Sequence, residues 1–280
     1  PVGDSSVGNA MKGIDFYLES NRDLWDRLVP IHARSRFYDV DGFRHGDSTL
    51  MQLEREEVGD VRDKTLLHLQ CHFGLDTLSW GRQGARVTGA DFSPAAIDLA
   101  RALSAELAIP ARFLCTNLFD LPAMLADRFD IIFTSYGVLC WLPDLDKWAD
   151  VVAHFLNPGG FFYIAEGHPL VSVFANESDT KGLQVTGSYF HSPEPTRWKT
   201  DVSYADPLTP VNLPSFEWTH SLADILNALI RAGLRIDFFH EFPFSFYQHF
   251  PFLVKEGDGY WHLPQGDLIP MTFSLKATKP

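Results

Sequence analysis

The sequence predicts an α/β protein with a mostly parallel sheet and helices on both faces, and three observations carry that prediction. From Lys64 to Glu166, short apolar runs alternate with helical segments in the order strand, turn, helix, strand. The run Phe129–Ser135 (FDIIFTS) is predominantly apolar, as in a strand buried on both faces. The turn after the first strand contains glycine and opens a helix, so its backbone N–H groups gather at a helix N-terminus, where the polar end of a nucleotide cofactor binds.

Taken in order, Pro1–Ala10 is small and polar and is expected to be disordered. Ile14–Val29 and Thr49–Val58 carry helical spacing, so residues 1–60 are read as a helical N-terminal arm or lid beside the cofactor cleft. Tyr17, Trp25, His32, Tyr38 and His45 are its lid candidates, with core packing as the alternative. The first strand is Thr65–Leu69, followed by the turn Gln70-Cys71-His72-Phe73-Gly74 and the helix Leu75–Arg82. Arg86–Ala90 is the second strand and ends on Asp91, a carboxylate placed to bond a ribose diol; Ser93-Pro94 caps the next helix. After Phe129–Ser135 come Tyr136-Gly137, a helix over Leu145–Leu156, the turn Asn157–Gly160 and the strand Phe161–Ala165. Pro169–Pro214, rich in Ser, Thr, Pro and aromatics, reads as an inserted hairpin or meander capping the site. Helical spacing resumes at Ser221, with Ser221 or Thr219 as N-cap and Gly233 as stop. Leu234–Phe239 and Thr272–Thr278 are the last strands, the latter alternating as an edge strand does. Between them Glu241–Pro270 is unusually aromatic; it roofs an apolar pocket, forms a homodimer contact or packs a core.

The segments LLHLQCHFG, VTGADFS, TNLFDLP, FDIIFTSYGVL and LNPGGFFYIAE resemble, in order and spacing, the successive motifs of class I S-adenosylmethionine-dependent methyltransferases. The resemblance covers the middle of the chain. It implies a Rossmann-like seven-stranded sheet, mostly parallel with an antiparallel last strand, and a methyltransferase domain over 61–280 with cap insertions at about 169–218 and 241–270. It implies S-adenosyl-L-methionine as cofactor, with Asp91 on the ribose, Phe92 against the adenine, and Asn117 and Leu118 at the adenine edge. Gly74, with the backbone of Gln70 and Cys71, would hold the methionine end. The chain departs from the family in its first motif, where His68, Gln70 and His72 stand in place of an acid and two glycines. The methionine amine thereby loses its customary carboxylate; Asp76 is a substitute, or is simply an acid favoured in a helix's first turn. The acceptor mouth would lie beyond the fourth and fifth strands, at Ser135, Tyr136, Glu166 and His168. His168 is the general-base candidate, with a structured exit turn before Pro169 as the alternative. Tyr136 would close off or hydrogen-bond the sulfonium end.

Composition bounds the partners. With 23 basic and 36 acidic residues the formal net charge is −13, which disfavours nucleic-acid substrates. Three cysteines without metal-ligand spacing, and no apolar leader, point to a reduced cytoplasmic protein. No stretch is long enough to span a bilayer. His68 and His72 straddle a strand and a turn, so no metal site is expected. The reading is a methyltransferase acting on a small molecule by in-line displacement. The alternatives are a catalytically degenerate cofactor-binding protein, suggested by the altered turn, and a nicotinamide-dependent oxidoreductase, which the missing G-x-G-x-x-G fingerprint opposes.

Overall fold

The computed structural model describes residues 13–280, so the expectation for Pro1–Ala10 lies outside the described residues. The arm consists of α1 (Ile14–His32), α2 (Val40–Arg44) and α3 (Gln52–Val58). The short α2, which the sequence reading does not contain, starts on the Asp39 side chain, which accepts from Gly42 N. There follow β1 (Thr65–Leu69), α4 (Leu75–Arg82), β2 (Arg86–Asp91), α5 (Pro94–Glu106), β3 (Ala111–Cys115), α6 (Leu121–Met124), β4 (Phe129–Ser135), α7 (Leu145–Phe155) and β5 (Leu156–Gly167). A hairpin, β6 (Thr196–Ser203) and β7 (Asp206–Glu217), precedes α8 (Leu222–Arg231) and β8 (Arg235–Phe242). The chain closes through the short strands β9 (Phe244–Ser245), β10 (Val254–Lys255) and β11 (Trp261–His262), then β12 (Thr272–Thr278).

Seven strands form one sheet in the order β3-β2-β1-β4-β5-β12-β8, and β12 alone runs antiparallel to its neighbours. Helices cover both faces. On one, Trp148 and Val152 of α7 and Leu229 of α8 bury against Phe162, Ile164 and Leu275; on the other, Trp80 of α4 meets Phe133 and Tyr163. The predicted caps form: the Ser93 side chain accepts from Ala96 N, and Ser221 with Asp224 makes a reciprocal capping box.

Two expectations need correction. Thr272–Thr278 is not the edge strand; it lies between β5 and β8, and β8 takes the edge. Its alternation misleads because Ser274 is fully buried and Lys276 lays its ammonium 4.0 Å from the Phe161 ring centroid, so neither face is open water. Nor does Asn157–Gly160 separate a helix from a fresh strand. Leu156 already pairs with Phe129 and Phe161 with Ile131, so the Pro-Gly-Gly segment loops out within β5, with Gly159 at φ 77.

The insertions surround the C-terminal edge of the sheet. The hairpin docks on α1 through Asn21, fully buried, whose Nδ2 donates to Phe216 O at 2.7 Å while its Oδ1 accepts from Phe216 N at 2.9 Å. The aromatic segment after β8 folds the strands β10-β11-β9 over an apolar cluster of its own, with Val171, Phe250, Leu253, Leu263 and Met271. No helix among the described residues is long and apolar enough to cross a membrane.

Candidate active site

The site begins at the turn between β1 and α4. Gln70 and His72 hold φ 55 and φ 50, the left-handed conformation that glycine adopts freely, and Gly74 holds φ 78. Each non-glycine there costs about 1–2 kcal/mol, so the altered motif keeps the glycine path under strain. Gly74 is bare for a second reason: a Cβ would sit 2.7 Å from the Phe113 ring. The turn is pinned by Cys71 N donating to Ala90 O at 3.0 Å and His72 N donating to Asp91 Oδ2 at 2.9 Å. Gln70 Nε2 donates to Val138 O at 3.0 Å across to the loop after β4, while its Oε1 is buried without a hydrogen-bond partner. Such an acceptor is costly unless a ligand donor completes it. Cys71 is a buried free thiol whose pKa burial pushes well up, which leaves it inert.

At the end of β2, Asp91 is buried and its Oδ1 accepts from Ser93 N at 2.9 Å. Burial raises its pKa to about 6 against the opposing N–H groups of Ser93 and His72. Each oxygen still has a lone pair for a hydroxyl donor. Phe92 is half-buried beside it. Asn117 uses Oδ1 to accept from Phe119 N at 3.0 Å, which closes the turn carrying buried Leu118. Asn117 and Phe119 line a cavity of about 280 Å³ whose other wall includes Ile14, Asp15 and Leu18 of the arm.

At the ends of β4 and β5 the arm enters again. Asp76, in the first turn of α4, accepts from Thr49 Oγ1 at 2.5 Å and from Ser135 Oγ at 3.0 Å, so it joins arm, helix and strand end. Burial raises its pKa, and those two hydroxyls oppose the shift. Tyr136 stands at φ 31, with its ring 4.2 Å from that of Phe246 and its hydroxyl donating to Glu54 Oε2 at 2.7 Å. Glu54 is fully buried, and burial followed by the Asp76 charge raises its pKa to about 7. The Glu166 carboxylate accepts from Gly137 N, Val138 N, Leu139 N and Gly167 N, which folds the loop after β4. His168 accepts from Leu170 N on Nδ1 at 3.0 Å, so its Nε2–H donates to Glu241 Oε1 at 2.9 Å. Both ring nitrogens are thus engaged, one with the segment after Pro169 and one with Glu241 of β8.

Sequence reasoning missed Glu54 and Asp26. Glu54 sits three residues into its helix, where its bond to Met51 N at 2.7 Å is the only role spacing suggests. Asp26 Oδ1 accepts from Ser93 Oγ and Ala95 N, so α1 lies on the N-terminus of α5. Trp25, a lid candidate, stands edge-on to His72 at 5.1 Å and to Trp141 at 5.4 Å. Among the described residues no group of three His, Cys, Asp or Glu side chains is arranged to hold a metal.

Residues 67–164 match the family described as Methyltransferase domain. The chain is 26% identical over 153 residues to the ubiquinone biosynthesis O-methyltransferase of Methylobacterium sp. (strain 4-46), covering 54% of this chain and 61% of that protein. It thus spans less than two thirds of that relative's length. Among solved structures, the S-adenosylmethionine-dependent methyltransferase from Mesorhizobium loti aligns with TM-score 0.58 and 22% identity, over 81% of this chain and 96% of that one. The geranyl diphosphate C-methyltransferase from Streptomyces coelicolor A3(2), in complex with Mg2+, geranyl diphosphate and S-adenosyl-L-homocysteine, aligns with TM-score 0.52 and 15% identity, over 82% and 78%. The fold is that of these methyltransferases, and residues 67–164, about a third of the chain, match the methyltransferase domain family.

Proposed function

We propose that this protein is an S-adenosylmethionine-dependent methyltransferase that passes the methyl group by in-line displacement to a small-molecule acceptor held under the arm and the two insertions. The observation that carries the reading is the 70–74 turn. It lies inside the matched region, keeps a glycine-type path with Gln70 and His72 in it, and offers Gln70 Oε1 as a buried acceptor for an ammonium donor.

When bound, S-adenosylmethionine supplies a methyl group already activated on a sulfonium. The chain's residues then bind, orient and, for a weakly acidic acceptor, take a proton. Asp91 accepts from the ribose hydroxyls, with Phe92 and Leu118 flanking the adenine and the Asn117 amide donating to its edge. The Gly74 and Cys71 backbone with Gln70 holds the methionine end, and Asp76 adds negative charge nearby. Tyr136, held by buried Glu54, is better placed than His168 to receive the acceptor's proton while its own passes to Glu54. Ser135 keeps Asp76 in place. The aromatic wall of Tyr136 and Phe246 suits a partly apolar acceptor. The three free thiols suit a reducing compartment, which we take to be the cytoplasm.

Incubation with methyl-labelled S-adenosylmethionine and a pooled extract of small metabolites tests this. Label should pass into low-mass products with matching release of S-adenosylhomocysteine. Cofactor binding without any transfer would support the catalytically degenerate alternative instead.

A further inference from the structure

His72 occupies a position where the family places glycine, and its backbone is left-handed at φ 50, yet it carries an imidazole packed among aromatic rings. That side chain has a specific partner. His72 Nε2 and His32 Nδ1 share a hydrogen bond at 3.0 Å, and His32 Nε2 meets Ser203 Oγ at 3.1 Å. His32 is wholly buried in the last turn of α1, and Ser203, equally buried, ends β6. One hydrogen-bonded line therefore joins the turn, the arm and the hairpin. Tyr38 reinforces it by stacking on His32 at 4.8 Å and bonding through its hydroxyl to Tyr204. On its other side, His72 N donates to Asp91 Oδ2, so the residue that touches the arm also orients the carboxylate at the end of β2.

We propose that His72 is a positioning residue that couples occupancy of the 70–74 turn to closure of the arm and the β6–β7 hairpin, through His32 and Ser203. The proposal rests on the reading of that turn as the S-adenosylmethionine site. Its thermodynamics are reciprocal: if ligand in the turn favours the closed arm, the closed arm tightens the ligand by the same factor. A merely structural His72 predicts the opposite sign, because glycine adopts φ 50 without strain and would leave binding equal or tighter.

Hydrogen exchange of the full chain with and without S-adenosylhomocysteine, with calorimetry for affinity, tests the coupling. In the unaltered protein the ligand should slow exchange in residues 14–32 and 196–217 as well as in the turn. In His72→Gly and in His32→Ala it should slow the turn alone and bind about tenfold more weakly. The double variant should be no weaker than either single one, because both cut one line. His72→Gln, which keeps a side-chain hydrogen bond within reach of His32, should restore arm protection. His32→Ala leaves the turn's backbone untouched, so the coupling can be read even where His72→Gly folds poorly. Full arm protection in the folded single variants, or tighter binding by His72→Gly, would overturn the coupling while leaving the cofactor reading intact. Failure of the unaltered protein to bind the ligand would overturn the cofactor reading itself, and this proposal with it.

Discussion

The proposed role of Asp91 on the cofactor ribose ties cofactor affinity to pH. Hydroxyl donors bond the ionised carboxylate more strongly than the protonated carboxyl, and burial raises its pKa to about 6. S-adenosylhomocysteine affinity, measured by calorimetry across pH, should be flat above roughly pH 7 and fall toward tenfold per unit below pH 6. The same shift acts on folding with a definite sign: relative to an unfolded pKa of 3.8, stability falls as pH rises from about 4 to about 6, because the folded state holds the proton longer. Tyr136→Phe and Glu54→Gln test the acceptor-side role proposed for this pair. Each should lower kcat by about 10²-fold for an acceptor that must lose a proton, with S-adenosylhomocysteine affinity within about twofold. A matching loss of affinity would place the pair in cofactor binding instead. The position of Asp91 at the end of β2 was legible in the sequence, because a strand end after a strand–turn–helix unit is a local feature. Glu54 was not, since only the fold brings it to Tyr136, 82 residues away.

The strand–turn–helix core rests on local rules that the sequence displays openly. Thr65–Leu69, Leu75–Arg82 and Phe129–Ser135 form over the residues their periodicity marks, and Ser93 and Ser221 cap as their side chains allow. The misreading of β12 has a physical cause. Alternation in β12 implied an exposed face, but long-range covering of Ser274 and Lys276 removed it. Gly74→Ala should destabilise the fold by about 2–4 kcal/mol, combining a left-handed backbone with a Cβ forced onto Phe113, as read by urea denaturation. Asn21→Ala should cost about 2–4 kcal/mol, since it leaves Phe216 N and O buried and unpaired. An unchanged denaturation midpoint for Asn21→Ala would show that the hairpin does not depend on α1.

Across the whole molecule, the arm, the hairpin and the aromatic insertion converge on the edge of one mostly parallel sheet where its parallel strands end, the edge at which this topology places ligands. Their partnerships were not readable from sequence, because they join residues such as Asn21 and Phe216, 195 positions apart, through hydrogen bonds that no periodicity encodes. At this edge the 70–74 turn, with Gln70 and His72 in it, is proposed to bind S-adenosylmethionine. Calorimetric titration with S-adenosylhomocysteine, set beside NADH, decides whether it does. One-to-one binding of S-adenosylhomocysteine, lost in Asp91→Ala and absent for NADH, is the predicted result; no heat with S-adenosylhomocysteine at millimolar concentration, or binding of NADH alone, would contradict it.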